Sequence, residues 1–223
     1  MYRFLCILFT GFSFLPARAQ QGEVLQDPAA REILDGVAVR VKEMKSIQAD
    51  FELVIEDRKE NTKNKSVGNL LVKQDKYKIS STGSVVYFNG LTMWTHMIDL
   101  QEVTITEPDN TDDDFLGNPA KIFTLYNRDF KYRYVRETSI SGTKFHEIDL
   151  YPMNLNQPYS RIKIFVSQKS ELPEIISSIG KDGVDYTVNL KNFQLDREIS
   201  DAVFTFDNLK NKKVEIIDMR GVK

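Results

Sequence analysis

The chain has 223 residues, with 30 lysines and arginines against 32 aspartates and glutamates, a formal net charge of −2. That length supports one domain with a large core, and a mildly acidic balance without basic clusters argues against nucleic-acid binding. One cysteine, Cys6, and two distant histidines, His96 and His146, leave little scope for disulfide, thiolate or zinc chemistry.

Residues 1–19 have the pattern of a secretory signal peptide. Arg3 gives a positive start, Phe4 to Leu15 is mostly apolar, Pro16 breaks the run, and Ala17-Arg18-Ala19 is an A-x-A cleavage site. The run is too short to span a bilayer. Cleavage after Ala19 removes Cys6, so residues 20–223 are expected to form a single exported, cysteine-free domain without an N-terminal lipid anchor.

The exported part opens with a helix signal. Asp27-Pro28 supplies an N-cap and a proline at the first helical position. Ala30, Ile33, Leu34, Val37, Val41 and Met44 then form one apolar stripe at helical spacing. Gly36 weakens the middle by roughly 1 kcal/mol relative to alanine.

After Ser46 the period changes to two. Ala49, Phe51, Leu53 and Ile55 alternate with Asp50, Glu52 and Glu56, and a charged loop is expected over Asp57 to Lys65. Short runs follow at Leu70 and Val72, Tyr77 and Ile79, a hairpin around Asn89-Gly90, and Val103 with Ile105. An acidic loop, Asp109 to Asn118, precedes a short apolar helix through Ile122, Phe123 and Tyr126. Strands resume at Tyr132 to Arg136, Phe145 to Tyr151, Ile162 to Val166, Leu172 to Ile179, Val184 to Leu190 and Val214 to Ile217, with Lys181-Asp182-Gly183 as a turn. The pattern predicts about eleven antiparallel strands and two to three helices, with no repeat and no linker.

Catalytic patterns are absent. There is no H-E-x-x-H, no G-x-S-x-G and no phosphate-binding G-x-x-x-x-G-K-[ST], and Asp112-Asp113-Asp114 lacks the calcium-loop spacing. No catalytic residue, metal site or cofactor is expected. What stands out is aromatic and apolar material along the strands. A large sheet covered by few helices either encloses a ligand or closes on a partner.

Several stretches together resemble one family. Val41 to Phe51 resembles an opening helix running into a first strand. Val67-Gly-Asn-Leu-Leu-Val-Lys73, followed by Tyr77-Lys-Ile79, resembles a "G-x-L-x-x-K" strand pair. Asn89-Gly90 ahead of Trp94 resembles a "DG-x-x-x-W" hairpin, Leu150-Tyr-Pro152 an "L-x-P" strand end, and Val203-Phe-Thr-Phe206 an "F-x-F" segment. In this order they are similar to the periplasmic outer-membrane lipoprotein carriers, the LolA-like family.

The resemblance implies an unclosed antiparallel β-barrel, covered by the N-terminal helix and a short internal helical lid. It implies a non-enzymatic, monomeric periplasmic chaperone that binds the acyl chains of lipoproteins and shuttles them from the inner to the outer membrane. An ATP-driven inner-membrane exporter would load it, and an outer-membrane acceptor is a possible recipient. The expected lipid-binding cavity comprises Phe51, Leu53, Ile55, Leu70, Val72, Tyr77, Ile79, Phe88 and Trp94, although alternation alone leaves both faces of the Trp94 strand open. The expected lid comprises Ile33, Leu34, Val37, Val41, Ile122 and Phe123. The best-known proteobacterial members carry an arginine latch just after the lysine of the second strand; here Gln74 follows Lys73 and is the latch candidate. A periplasmic lipid- or lipoprotein-binding sensor module of the same fold is the alternative.

Overall fold

The computed structural model describes residues 26–107, 130–207 and 213–221. The signal sequence, Asp112-Asp113-Asp114 and the lid residues Ile122 and Phe123 lie outside them.

The first element is the helix α1 (Pro28–Glu43). Asp27 caps it, its side chain accepting a hydrogen bond from the Ala29 amide at 2.9 Å. Ala30, Leu34 and Val37 are its buried face, as the stripe requires, with Ile33, Val41 and Met44 half-buried beside them.

Twelve strands follow: β1 (Ile47–Asp57), β2 (Thr62–Lys73), β3 (Lys76–Ser81), β4 (Ser84–Phe88), β5 (Met93–Met97), β6 (Glu102–Thr106), β7 (Phe130–Ile140), β8 (Thr143–Pro152), β9 (Tyr159–Ser167), β10 (Pro173–Gly180), β11 (Val184–Leu195) and β12 (Glu215–Asp218). They form one unclosed sheet in the order β12-β6-β5-β4-β3-β2-β1-β11-β10-β9-β8-β7. Every neighbouring pair is antiparallel except β12 with β6, which is parallel. A 3-10 helix, Asp201–Phe204, precedes β12.

Two strands outrun their apolar patterns. The stretch expected as a charged loop after Asp57 is mostly strand, because β2 begins at Thr62 and pairs Thr62 with Asp57. Its first residues are exposed on both faces, so their polarity reports solvent contact, not the absence of a backbone ladder. Likewise β7 continues past Arg136 to Ile140 and turns through Ser141 and Gly142, both at positive φ (50° and 83°), the conformation a tight hairpin turn demands.

The register divides the sheet into two faces. On the inner face, beneath α1, Phe51 is opposite Gly68 and Leu190, Leu70 is opposite Ile79, and Ile79 is opposite Val86. Gly68 is needed for space: a Cβ there would collide with the Ser80 carbonyl oxygen and stand 2.5 Å from the Phe51 ring, which lies across it. Two irregularities re-phase the strands. An extra β11 residue at Asn192 (φ 56°) lets Leu195 meet Ile47, and β7 shifts register between Tyr134 and Arg136, which brings Glu137 opposite His146 on the inner face.

Candidate functional site

Eight of the nine residues expected to line a cavity share the inner face, but they fall into two classes. Leu70, Val72, Tyr77 and Phe88 are fully packed into the core with Leu34, Val37, Ile148 and Leu150. The Tyr77 and Phe88 rings meet at a tilt with centroids 5.0 Å apart, the Tyr77 hydroxyl is 3.6 Å from the Met93 sulfur, and burial pushes its phenol up to about 12. These residues have little apolar surface left to offer a ligand. Phe51, Leu53, Ile55 and Ile79 are only half-buried, so a ligand laid along them removes further apolar area from water.

Val86, Met93 and Val188 extend this half-buried row and are absent from the sequence-based set. Val86 is opposite Ile79, and Val188 is opposite Leu53. The run Val85-Val86-Tyr87-Phe88 is apolar at every position, so alternation could not show which residues point inward. Burial of Phe88 settles it: Val86 shares its face, and Val85 and Tyr87 do not.

Trp94 does not line this face. It is opposite Tyr87 and Ile105, on the outer side of the sheet. There it belongs to a second cluster of Tyr87, Val103, Ile105, Phe206 and Val214, with the Phe206 ring 5.2 Å from His96 and 6.0 Å from Tyr87. Phe206, brought by the segment after the 3-10 helix, covers the outer face of β4 to β6, and that cover is what Trp94 packs beneath.

Gln74, the latch candidate, is exposed in the two-residue turn between β2 and β3, at φ 57°. Its neighbours make the tie. Lys73 donates to the Ile199 carbonyl at 2.8 Å and to Asp201 at 2.7 Å, and Lys76 also binds Asp201. These hydrogen bonds hold the Asp201 carboxyl down to about 2, and the lysine pair fastens the 3-10 helix to the turn.

Beside the middle of α1 a cavity of about 580 Å³ opens between the helix and residues of β7, β8 and β9. Ile33, Val37 and Val166 give it apolar walls, while Glu32, Glu137, His146 and Glu171 give it a polar rim. His146 is 3.3 Å from the Tyr134 hydroxyl. The volume is that of a small-ligand pocket. Among the described residues no set of three histidine, cysteine or acidic side chains is placed to hold a metal ion, and no helix is long and apolar enough to cross a membrane.

Comparison with known proteins agrees with this architecture. No curated protein sequence matches the chain. An uncharacterised conserved protein from Thermus thermophilus has a similar structure, with a TM-score of 0.58 at 11% identity, covering 85% of this chain and 99% of that one. A LolA-superfamily protein from Nitrosomonas europaea gives a TM-score of 0.45 at 14% identity, covering 80% and 98%. MucB in its complex with MucA from Pseudomonas aeruginosa gives 0.39 at 13%, covering 80% and 61%. The family profile for the outer membrane lipoprotein carrier protein LolA matches residues 42–207, most of the chain, from the end of α1 to the segment that carries Phe206. The chain therefore belongs to the LolA family.

Proposed function

We propose that this protein is a periplasmic carrier that binds the acyl chains of lipoproteins on its inner face and shuttles them from the inner to the outer membrane. The observation that carries this is the set of half-buried apolar residues on the inner face, Phe51, Leu53, Ile55, Ile79, Val86, Met93 and Val188, beside a sealed core. Burying an acyl chain gains about 0.8 kcal/mol per methylene, so a chain of ~16 carbons is worth on the order of 12 kcal/mol. A carrier must match much of that with its own apolar surface. The chain's sequence holds no nucleotide-binding motif, so an ATP-driven exporter in the inner membrane would supply the work of extraction, and an outer-membrane acceptor would receive the cargo. Its part is binding, not catalysis, and a monomer suffices.

Displacement of a fluorescent apolar probe by free fatty acid tests the binding site. The purified protein is expected to bind the probe, release it to fatty acid, and lose both properties in a folded Leu53→Glu variant. Probe binding that survives Leu53→Glu unchanged would place the ligand elsewhere.

A further inference from the structure

The outer face of β7, β8 and β9 carries an arrangement that acyl binding does not use. Glu147 and Asp149 point outward from β8, yet their side chains are only 4% and 1% exposed. Cations cover them. Lys163 reaches Glu147 at 2.6 Å and Asp149 at 3.3 Å, Arg136 reaches Glu147 at 2.9 Å, and Arg161 and Arg133 reach Asp149 at 3.2 and 3.5 Å. Tyr151 donates its hydroxyl to Asp149, and the Arg133 guanidinium stands 5.8 Å from the Tyr151 ring. Lys131, opposite Tyr151 in the register, is exposed beside them. Four cations thus cover two carboxylates, with Lys131 beside them, in a chain whose net charge is negative.

At the end of the same strands lies the loop 153–158. Met153 and Leu155 are 57% and 78% exposed. The loop is braced from within and from below: Asn154 accepts from the Asn156 amide at 3.0 Å, and Lys181 binds the carbonyls of Leu155 and Pro158. Two large apolar side chains are therefore held out in water within a few residues of the cationic array.

We propose that this outer face and loop form a docking surface for a bilayer that carries anionic headgroups. Cations attracted to lipid phosphates, next to apolar side chains that enter the headgroup layer, are the combination interfacial binding requires. A soluble acidic partner would use the cations but leave Met153 and Leu155 without a role. Docking through the outer face leaves the inner row free, so it does not depend on acyl binding.

The test is flotation of the mature protein with phosphatidylcholine vesicles made with or without phosphatidylglycerol. The protein is expected to float only with the anionic vesicles and to be released as salt rises. Lys131→Glu, an exposed change that leaves the covering ion pairs intact, is expected to weaken partitioning more than about tenfold. Leu155→Ser is expected to weaken it several-fold without altering the salt dependence. Leu53→Glu is expected to float like wild type, which separates this proposal from the carrier reading. Failure of the folded protein to float with anionic vesicles at low salt would overturn the proposal. So would flotation unchanged in both surface variants, or capture by a soluble acidic protein in place of vesicles.

Discussion

Asp27 and Tyr134 join the start of the helix to the edge of the sheet. One carboxylate oxygen of Asp27 caps the Ala29 amide at 2.9 Å, and the other accepts the Tyr134 amide of β7 at 3.1 Å. The Asp27 amide in turn donates to the Tyr132 carbonyl at 3.2 Å. β7 is an outermost strand, and such edges invite unwanted pairing unless something covers them. A single side chain here begins α1, fixes its entry over the core and occupies part of the open edge.

Asp27→Ala is therefore expected to cost about 2 kcal/mol, the upper end of what cap removal alone costs. Asp27→Asn keeps an acceptor and should retain most of it. Urea denaturation checks both; an alanine variant as stable as wild type would show that the clamp contributes nothing.

Leu53 and Val72 share a face but should behave differently. Leu53 is half-buried, so Leu53→Glu is expected to fold and lose ligand. Val72 is 5% exposed, and a glutamate there would be buried without a partner, which destabilises by several kcal/mol. Circular dichroism melts of the two variants distinguish these outcomes. Equal melting temperatures would contradict the division of the inner face into sealed core and open row.

Gly68 is occupied from above by the Phe51 ring. Gly68→Ala is expected to cost roughly 1–3 kcal/mol by overpacking. Phe51→Leu in the same chain should recover part of that loss. A double-mutant cycle measures the coupling, and strictly additive effects would show that the ring does not press on this position.

Glu147 supplies a pH dependence. Burial alone would raise its carboxyl, but hydrogen bonds and charge from Lys163 and Arg136 outweigh that and hold it below its ordinary 4.5. A depressed carboxyl gives stability that is fully present above the ordinary value and is lost as pH falls through the folded one. Acidification below about pH 4.5 should then destabilise wild type more than Glu147→Gln. A constant stability difference between the two from neutral to acid pH would contradict this.

Trp94 is the chain's single tryptophan, and its place on the outer face gives a direct readout. A ligand on the inner row should leave its emission unchanged. Phe206→Ala should shift it to longer wavelength by opening the cover over it. A large emission change on addition of fatty acid would put the ligand on the outer face.

Helix α1 and the strand around Phe51 are legible in the sequence because polar residues interrupt the apolar ones at a clean period, 3.6 in one and 2 in the other. Leu70, Val72, Tyr77 and Ile79 follow from the same alternation. Position along those strands does not reveal which of them is sealed, because that depends on where the helix crosses the sheet, and Leu70 and Ile79, paired in the register, differ in just this respect. Trp94 departs from expectation for another reason: the chain's own Phe206, more than a hundred residues on, creates an apolar patch on the outer face. Nothing in the strand Phe145 to Tyr151 itself marks Glu147 and Asp149 as buried; the cations that cover them come from β7 and β9.

Native mass spectrometry of the mature protein, purified after co-expression with an acylated lipoprotein, tests the carrier account most directly. The account predicts a complex of carrier and lipoprotein that is missing when Leu53 is changed to glutamate and intact when Trp94 is changed to phenylalanine. A bare protein mass from cells that make abundant acylated lipoprotein, or a complex indifferent to Leu53→Glu, would contradict it.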